Sequence, residues 1–458
     1  MPNYDAILIG TGQSGPALAR RLVAAGRKVA IVERKRFGGT CVNNGCTPTK
    51  TLIASAYATY LARRAADYGV RIEGSIKVDM KAVKARKDAV VAAFRDGLER
   101  SLKTLQGCTV YEGHARFVGE KKIAVNGSDL AADHIFLNVG ARAAIPPIPG
   151  LDGVPYLTNS SMMEIDFVPS HLVILGGSYV GLEFAQMYRR FGSEVTVIEI
   201  SPHLIPREDQ DVSQAVADFL RDEGIDVRVD SKVVGVEQLG NSIAVKVDLG
   251  GAISQVVGTH LLVATGRRPN TDDLGLDKAG IATDTRGYIQ VDEQLRTNIP
   301  GIWAMGDCNG RGAFTHTSWN DFEIVAANLL DDDRRSVHDR ITAYALYTDP
   351  PLGRAGMTEA EVRGTNKPAL IATRAMENVS RAYEKGETKG FMKILVDRES
   401  KQILGASFLG LAGDEVIHSI LDLMYAKAPY TVAQRAMHVH PTVSELIPTM
   451  IGDLKPLQ

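Results

Sequence analysis

Residues 4–34 read YDAILIGTGQSGPALARRLVAAGRKVAIVER, and this stretch decides the fold. A short apolar run at 6–9 meets a turn carrying Gly10, Gly12 and Gly15. Small and apolar residues at helical spacing follow, and a second apolar run ends on Glu33. Strand, glycine turn, helix and strand in this order make a mononucleotide-binding unit. Gly10 permits the tight turn, Gly12 lets the backbone approach a pyrophosphate, and Gly15 allows the helix to pack closely on the strand. Unpaired N–H groups and the dipole at the helix N-terminus favour negative charge there, and Glu33 is placed to accept hydrogen bonds from ribose hydroxyls.

A single glycine fingerprint discriminates poorly, because glycine turns before helices are common. Here it returns. Residues 171–201 read HLVILGGSYVGLEFAQMYRRFGSEVTVIEIS, and a shift of 166 residues brings Gly176 onto Gly10, Gly181 onto Gly15, Gly192 onto Gly26 and Glu199 onto Glu33. An internal repeat of this kind predicts two dinucleotide sites in one α/β chain. The second copy has Ser178 where the first has Gly12, which predicts a looser approach of that backbone to its pyrophosphate. Glu199 would accept from the 2′-hydroxyl of NADH and repel the 2′-phosphate of NADPH, so NADH is favoured over NADPH. Arg207, eight residues on, is the one charge that complicates this preference.

At 458 residues the chain exceeds one compact core, and two to four domains are expected. Hydrophobic content of 45% and charged content of 23% exclude disordered, fibrous and membrane classes. The formal net charge is −2 with Lys and Arg scattered, which leaves no electrostatic footprint for nucleic acid. No stretch approaches the length of a membrane span, and Met1 leads into a strand-like segment with no signal-peptide pattern, so no membrane association and a cytoplasmic location are expected.

Four cysteines occur, and in a reducing compartment a close pair points to catalysis or metal binding rather than to a structural disulfide. Cys108 and Cys308 stand alone and read as packing residues. Cys41 and Cys46 enclose four residues in FGGTCVNNGCTPTK, 37–50, where Pro48 opens a helical pattern. Spacing alone leaves metal and redox chemistry open. Zinc usually needs four ligands, and no second pair or Cys/His cluster follows, so no metal site is expected. Cys46 falls in what should be a first helical turn, where free N–H groups lower a thiol pKa, and Cys41 is expected nearer the surface.

The stretch GGTCVNNGCTPTK resembles the active-site signature of the pyridine nucleotide-disulfide oxidoreductases, a family that includes glutathione reductase, lipoamide dehydrogenase and mercuric reductase. The resemblance covers essentially the whole chain, since further landmarks recur in order through residue 445. It implies FAD as cofactor, Cys41 as interchange thiol and Cys46 as the charge-transfer thiol beside the flavin. It further implies Lys50 near flavin N5 with Glu183 as its partner, and Tyr179 as the ring that covers the flavin until nicotinamide displaces it. Gly39 and Thr40 of the signature join Gly10, Gly12, Gly15, Glu33 and Lys50 around FAD, with Gly113 of EGHARF at the adenine half and Asp307 of GIWAMGDC on the ribityl chain. Gly176, Gly181, Glu199, Val233 and Gly266 of LLVATGRRPN are assigned in the same way to the remaining cofactor contacts.

From about residue 340 strand-like and helical segments lead to MHVHPTVSELIPTM, 437–450. Disulfide reduction needs a base that takes a proton from the attacking thiol and returns it to the leaving one. His440 suits both steps, and Glu445 would fix its tautomer. The resemblance implies that this pair serves the active site of the opposite subunit of a homodimer. His438 reads as structural, and Pro441 as holding His440 extended.

The expected architecture is therefore α/β, with two Rossmann-like dinucleotide-binding domains and a C-terminal α+β dimerisation domain. The FAD domain is assigned to 1–150 and 271–335, the NAD(P) domain to 151–270, and the dimerisation domain to 336–458. FTHTSWNDFEIV, 314–325, and TDPPLGRAGMTEAE, 348–361, are similar to segments of mercuric-reductase-like and reactive-chlorine-resistance flavoproteins. The chain ends GDLKPLQ without the C-terminal cysteine pair of mercuric reductases, which argues against efficient Hg²⁺ reduction. The His440 and Glu445 pair favours a small-molecule acceptor whose sulfur is protonated on leaving, such as a disulfide, or a reactive sulfur or halogen oxidant. Mercuric or other metal-ion reduction and a dihydrolipoamide dehydrogenase subunit are the alternatives. Thr47 and Thr49 differ from the usual residues of the latter subgroup. A non-enzymatic redox sensor would have no use for the His440 and Glu445 pair.

Overall fold

A computed structural model describes residues 2–457. The strand Asn3–Ile9 lies in the middle of a seven-stranded sheet, parallel to Val29–Glu33 on one side and to Ser128–Leu137 on the other, in the register Ala6 with Val29 and Ala6 with His134. Ile7 and Leu8 are fully buried because both faces of the sheet are covered, which is why this strand reads as a continuous apolar run rather than an alternating one. Cys108–Glu112 extends the sheet beyond Val29–Glu33. On the other side, Lys122–Val125 and Ile302–Ala304 share the far edge of Ser128–Leu137, so a strand from beyond residue 300 joins the sheet begun at residue 3.

The intervening chain builds a second parallel sheet in the order Asp226–Arg228, Glu194–Ile198, His171–Leu175, His260–Val263 and Tyr156–Leu157. Its first four strands repeat the arrangement of Cys108–Glu112, Val29–Glu33, Asn3–Ile9 and Ser128–Leu137, so the sequence repeat is also a topological one. A three-stranded antiparallel sheet, Lys232–Leu239, Ser242–Leu249 and Ala252–Gly258, packs beside it.

Residues 343–456 form a six-stranded antiparallel sheet, ordered Ala343–Leu346, Leu352–Gly356, Ile403–Leu409, Phe391–Asp397, Ala369–Ala375 and Lys455–Pro456. Its core gathers Met392, Ile394, Phe408, Ile417, Ile420 and Ile447, with helix Gly413–Tyr425 on one face. Leu346, Leu352 and Leu409 enter a different cluster, shared with Leu52 of helix Cys46–Arg63 and with Leu182, Phe184 and Tyr188 of helix Tyr179–Phe191. Three segments distant in sequence thus converge on one apolar junction, and the polar residues at its rim form the candidate site.

Candidate active site

Both glycine turns are built as the fingerprint requires. Gly10 and Gly176 have φ of +104° and +111°, a region open to glycine, and a Cβ on either would lie 2.2 or 2.5 Å from the carbonyl oxygen of Asn138 or Ala264. A Cβ at Gly15 or Gly181 would meet the carbonyl of Gly10 or Gly176 at 2.4 or 2.0 Å, the close helix-on-strand contact that explains both residues. Helices Ser14–Ala24 and Tyr179–Phe191 begin directly after these turns, and neither receives a side-chain cap. Each therefore offers uncapped N–H groups above a strand edge, a cradle suited to a pyrophosphate.

The Thr11 backbone N–H and hydroxyl donate to Glu33 Oε2 at 3.0 and 2.6 Å, and the Lys35 N–H donates to Oε1 at 2.9 Å. In the second unit, the N–H groups of Gly177 and Ser201 donate to Glu199 Oε2 and Oε1 at 2.6 and 2.8 Å. Both acids thus pin their own glycine turns while keeping acceptor capacity for a ribose. Gly177, next to Ser178, is closely packed: its Cβ would fall 2.5 Å from Leu204 Cδ2 and 2.9 Å from Glu199 Cβ.

Around the first turn, Gly39 faces Gly12 so closely that its Cβ would lie 2.9 Å from Gly12 Cα. Thr11 Oγ1 accepts from the Gly38 N–H at 3.2 Å, and Thr40 follows in the short helix Gly39–Asn44. The Gly113 N–H donates to the Glu33 carbonyl at 2.8 Å, which brings Gly113 beside the acid. Asp307 lies in a turn after Ile302–Ala304, and Arg267 Nη2 is 3.2 Å from its Oδ2. Burial pushes the Asp307 carboxyl upward and Arg267 opposes this. Two glycines with mutually open backbones, an uncapped helix end and a half-buried aspartate fit the FAD that the signature implies. At the second turn, Gly266, with φ +133°, follows Ala264, whose N–H donates to the Leu175 carbonyl. Val233 lies two residues after Ser231, whose N–H donates to the Glu199 carbonyl.

Helix Cys46–Arg63 starts at Cys46 itself, after Gly45 and without a side-chain cap. Cys41 and Cys46 are unbonded in the structure. In the single chain Cys41 is half-buried and Cys46 exposed. Cys46 opens the helix with its Sγ 3.2 Å from Thr315 Oγ1, and Cys41 lies in the preceding short helix Gly39–Asn44. A hydrogen bond from Cys41, another from Thr315 and the charge of Lys50 lower Cys46 to about 6, against the opposing effect of burial. The same hydrogen bond and burial push Cys41 up, so one proton stays on Cys41 while Cys46 carries the charge.

One turn along the helix, Lys50 Nζ pairs with both oxygens of Glu183 at 3.0 and 2.8 Å and stands 4.4 Å from the centre of the Tyr347 ring. Glu183 is the buried member, with 7% of its side chain exposed against 34% for Lys50. The Tyr347 N–H also donates to Glu183 Oε1, at 3.1 Å. The Tyr179 ring lies edge-on to Phe314 and Tyr344, with centroids at 5.8 and 5.5 Å. Phe314 immediately precedes Thr315, so the second glycine turn and the cysteine pair are two aromatic rings apart.

The remaining pair stands elsewhere. His440 Nδ1 lies 3.0 and 2.9 Å from the two oxygens of Glu445. His440 is 73% exposed and Glu445 15%, and the His440–Pro441 peptide is cis. Among the described residues, no hydrogen bond, ion pair or ring contact joins this dyad to the cysteines of the same chain. His438 Nδ1 lies 3.2 Å from the Ala436 carbonyl, a local structural contact. Cys308 is fully buried and pushed up to about 12 by desolvation, and half-buried Cys108 up to about 11 by the same cause. No group of three potential metal ligands occurs among the described residues, and none of their helices is long and apolar enough to cross a membrane. Thr315, Tyr347 and Asn138 were not singled out from sequence. Asn138 binds Ser14 Oγ at 2.9 Å beneath the first glycine turn.

Comparisons with known proteins agree with this fold. The family described as pyridine nucleotide-disulphide oxidoreductase matches residues 4–321, and the dimerisation domain of that family matches 342–451. The probable pyridine nucleotide-disulfide oxidoreductase RclA of Escherichia coli is 34% identical over 99% of this chain and 100% of its own. A mercuric reductase of Streptomyces lividans is 34% identical over 97% and 94%, and a dihydrolipoyl dehydrogenase of Thermus scotoductus 33% over 97% and 96%. Among solved structures, the HOCl-induced flavoprotein disulfide reductase RclA from Escherichia coli superposes with a TM-score of 0.91 at 34% identity, covering 99% of this chain and all of that one.

Proposed function

The chain belongs to the pyridine nucleotide-disulphide oxidoreductase family, and on that premise we propose that it is an FAD-dependent, NADH-driven reductase whose Cys41 and Cys46 deliver electrons to a small disulfide or to a reactive sulfur or halogen oxidant. The observation that carries this reading is geometric: Cys46 opens an uncapped helix with its Sγ 3.2 Å from Thr315 Oγ1, and one turn on Lys50 is held by both oxygens of Glu183 at 3.0 and 2.8 Å. A free helix end and a held cation favour a thiolate, for which a packing or structural pair has no use.

Gly10, Gly12, Gly15, Glu33, Gly39, Thr40, Gly113 and Asp307 would hold FAD, and when bound it would supply the two-electron relay between the nicotinamide and the cysteine pair. Gly176, Gly181, Glu199, Val233 and Gly266 would hold the dinucleotide. Lys50 supplies a fixed positive charge at the junction, and Glu183 keeps that charge oriented and compensated. In the dithiol state Cys41 gives up its proton to His440 of the partner subunit and attacks one sulfur of the acceptor. The leaving thiolate takes that proton from the same imidazole. Cys46 then attacks the Cys41 sulfur, the Cys41–Cys46 bond forms as the mixed disulfide breaks, and the second thiolate leaves and takes a proton from solvent. One NADH and one proton thereby convert one disulfide into two thiols. The dithiol must be regenerated each cycle, which suits a cytoplasmic setting. The same proposal assigns 1–150 with 271–335 to FAD, 151–270 to NAD(P)H and 336–458 to a homodimer interface with shared sites.

Two expected outcomes test the parts. In NADH-reduced protein, the long-wavelength thiolate-to-flavin absorption should persist from alkaline pH down to about 6 and vanish below it, because the Cys46 pKa is lowered and the thiolate is lost only as pH falls through the folded value. A midpoint near the ordinary thiol value would contradict the assignment. For the nucleotide, a 2′-phosphate about 5 Å from the Glu199 carboxylate is repelled by roughly 3 kcal/mol at an effective dielectric near 20, about two orders of magnitude in affinity. Exposed Arg207, which has no partner among the described residues, offsets part of this. Steady-state kcat/KM should favour NADH over NADPH at least about tenfold, and Glu199→Ala should narrow the ratio. Equal use of both cofactors would refute this role for Glu199.

Two thiols are also soft donors, so Hg²⁺ and Cu²⁺ belong in an acceptor screen beside disulfides, hypothiocyanous acid and hypochlorous acid. Turnover with a metal ion and with none of the oxidants would move the reading to metal-ion reduction.

A further inference from the structure

The loop after Glu199 ends in a buried charge cluster that the thiol chemistry does not use. Tyr344 and Arg354 face each other as a cross-strand pair in the C-terminal sheet, and both reach the Glu208 carboxylate. The Tyr344 hydroxyl donates to Oε1 at 2.8 Å, and the Arg354 guanidinium binds both oxygens. Arg354 is 1% exposed and the Glu208 side chain fully buried. Asp209 continues the cluster to Arg354 at 3.2 Å and to the buried Lys393 at 3.0 Å. Three residues before Glu208 the same loop is tied to the nucleotide turn, where the Ile205 N–H donates to the Gly177 carbonyl at 2.9 Å.

A buried ion pair adds little net stability over an apolar replacement, so what this one contributes is direction. It points the Tyr344 ring. That ring stacks on Phe314 at 5.6 Å with an interplanar angle of 14°, and Tyr179 meets the stacked pair edge-on from the N-terminus of the helix that opens the second dinucleotide unit. On the far side, Phe314 is joined through the chain to Thr315, which touches Cys46.

We propose that Tyr344 is a positioning residue for the nucleotide half of the cycle: anchored by Glu208 and Arg354, it fixes the aromatic wall against which Tyr179 packs at the entrance for nicotinamide. The inference rests on the reading of 171–199 as the dinucleotide unit. Rigid alignment at this wall matters because small displacements of a reacting ring cost large factors in rate. The hydrogen bond to Glu208 is the element that can be removed without disturbing volume.

The test compares wild-type holoenzyme with Tyr344→Phe, which keeps the stacked ring and loses only the hydroxyl. Anaerobic stopped-flow mixing with NADH reads the limiting rate of flavin bleaching and its half-saturating concentration. Mixing the dithionite-reduced protein with dithiodipyridine reads the thiol half. The limiting NADH-driven rate should fall at least about fivefold in Tyr344→Phe, with the dithiodipyridine rate within about twofold of wild type. Unchanged NADH kinetics overturn the proposal, and so does an equal loss in both halves, which marks a general structural role. If NADH leaves wild-type flavin oxidised, the dinucleotide reading fails and takes this inference with it.

Discussion

Cys41→Ser is expected to lower NADH-driven reduction of a small disulfide by about three orders of magnitude or more, the scale on which loss of a nucleophile acts. A serine hydroxyl is protonated at every accessible pH and cannot close a disulfide with Cys46, so both the attack and the resolution are lost. What the variant keeps is as informative. The introduced hydroxyl can still donate a hydrogen bond to Cys46, and Thr315 and Lys50 are untouched, so the factors that hold Cys46 low remain. Cys41→Ser holoenzyme should therefore show the long-wavelength thiolate absorption without any reductant, and NADH should still bleach its flavin. Cys46→Ser should lack that absorption in every state. Full turnover in either variant, measured with several acceptors, is incompatible with the cysteine pair as the carrier.

His440→Ala is expected to slow the acceptor half-reaction by about 10²- to 10⁴-fold, the usual contribution of a general acid-base group. Flavin reduction by NADH should be unchanged, because no proton transfer to or from the acceptor occurs there. The geometry supplies the reason for the size: the Glu445 carboxylate holds Nδ1 with both oxygens, which leaves Nε2 as the only nitrogen free to serve a thiol. Glu445→Gln keeps a hydrogen-bond partner but loses the charge that stabilises imidazolium, and its loss should be smaller. Since the dyad makes no contact with the cysteines of its own chain, the Cys41→Ser and His440→Ala variants should complement each other. A dimer of one Cys41→Ser and one His440→Ala subunit has one intact site, so random subunit exchange between the inactive proteins should recover roughly a quarter of wild-type activity. No recovery, with exchange verified, would mean that each chain completes its own site.

The signals legible in sequence are those with local periodicity or tight spacing. The glycine turns at Gly10 and Gly176, the repeat that relates them and the Cys41–Cys46 stretch all lie within short segments whose backbone demands can be worked out residue by residue. The same reasoning did not single out Gly177, whose N–H holds Glu199 and whose Cα packs against Leu204 across the fold. Thr315 on Cys46, Tyr347 over Lys50 and the Tyr344–Glu208–Arg354 contact join chain segments brought together only by the sheets of separate units. No spacing rule reaches that far.

Differential alkylation with mass spectrometry tests the central claim most directly: reducing equivalents from NADH arrive at Cys41 and Cys46 and nowhere else. Of the four cysteines, the air-oxidised holoenzyme, denatured in the presence of a first alkylating reagent, should label only Cys108 and Cys308. After anaerobic reduction with NADH, the same treatment should label all four, with the new label on Cys41 and Cys46. Identical labelling before and after NADH, or new label on Cys108 or Cys308 alone, would contradict the account.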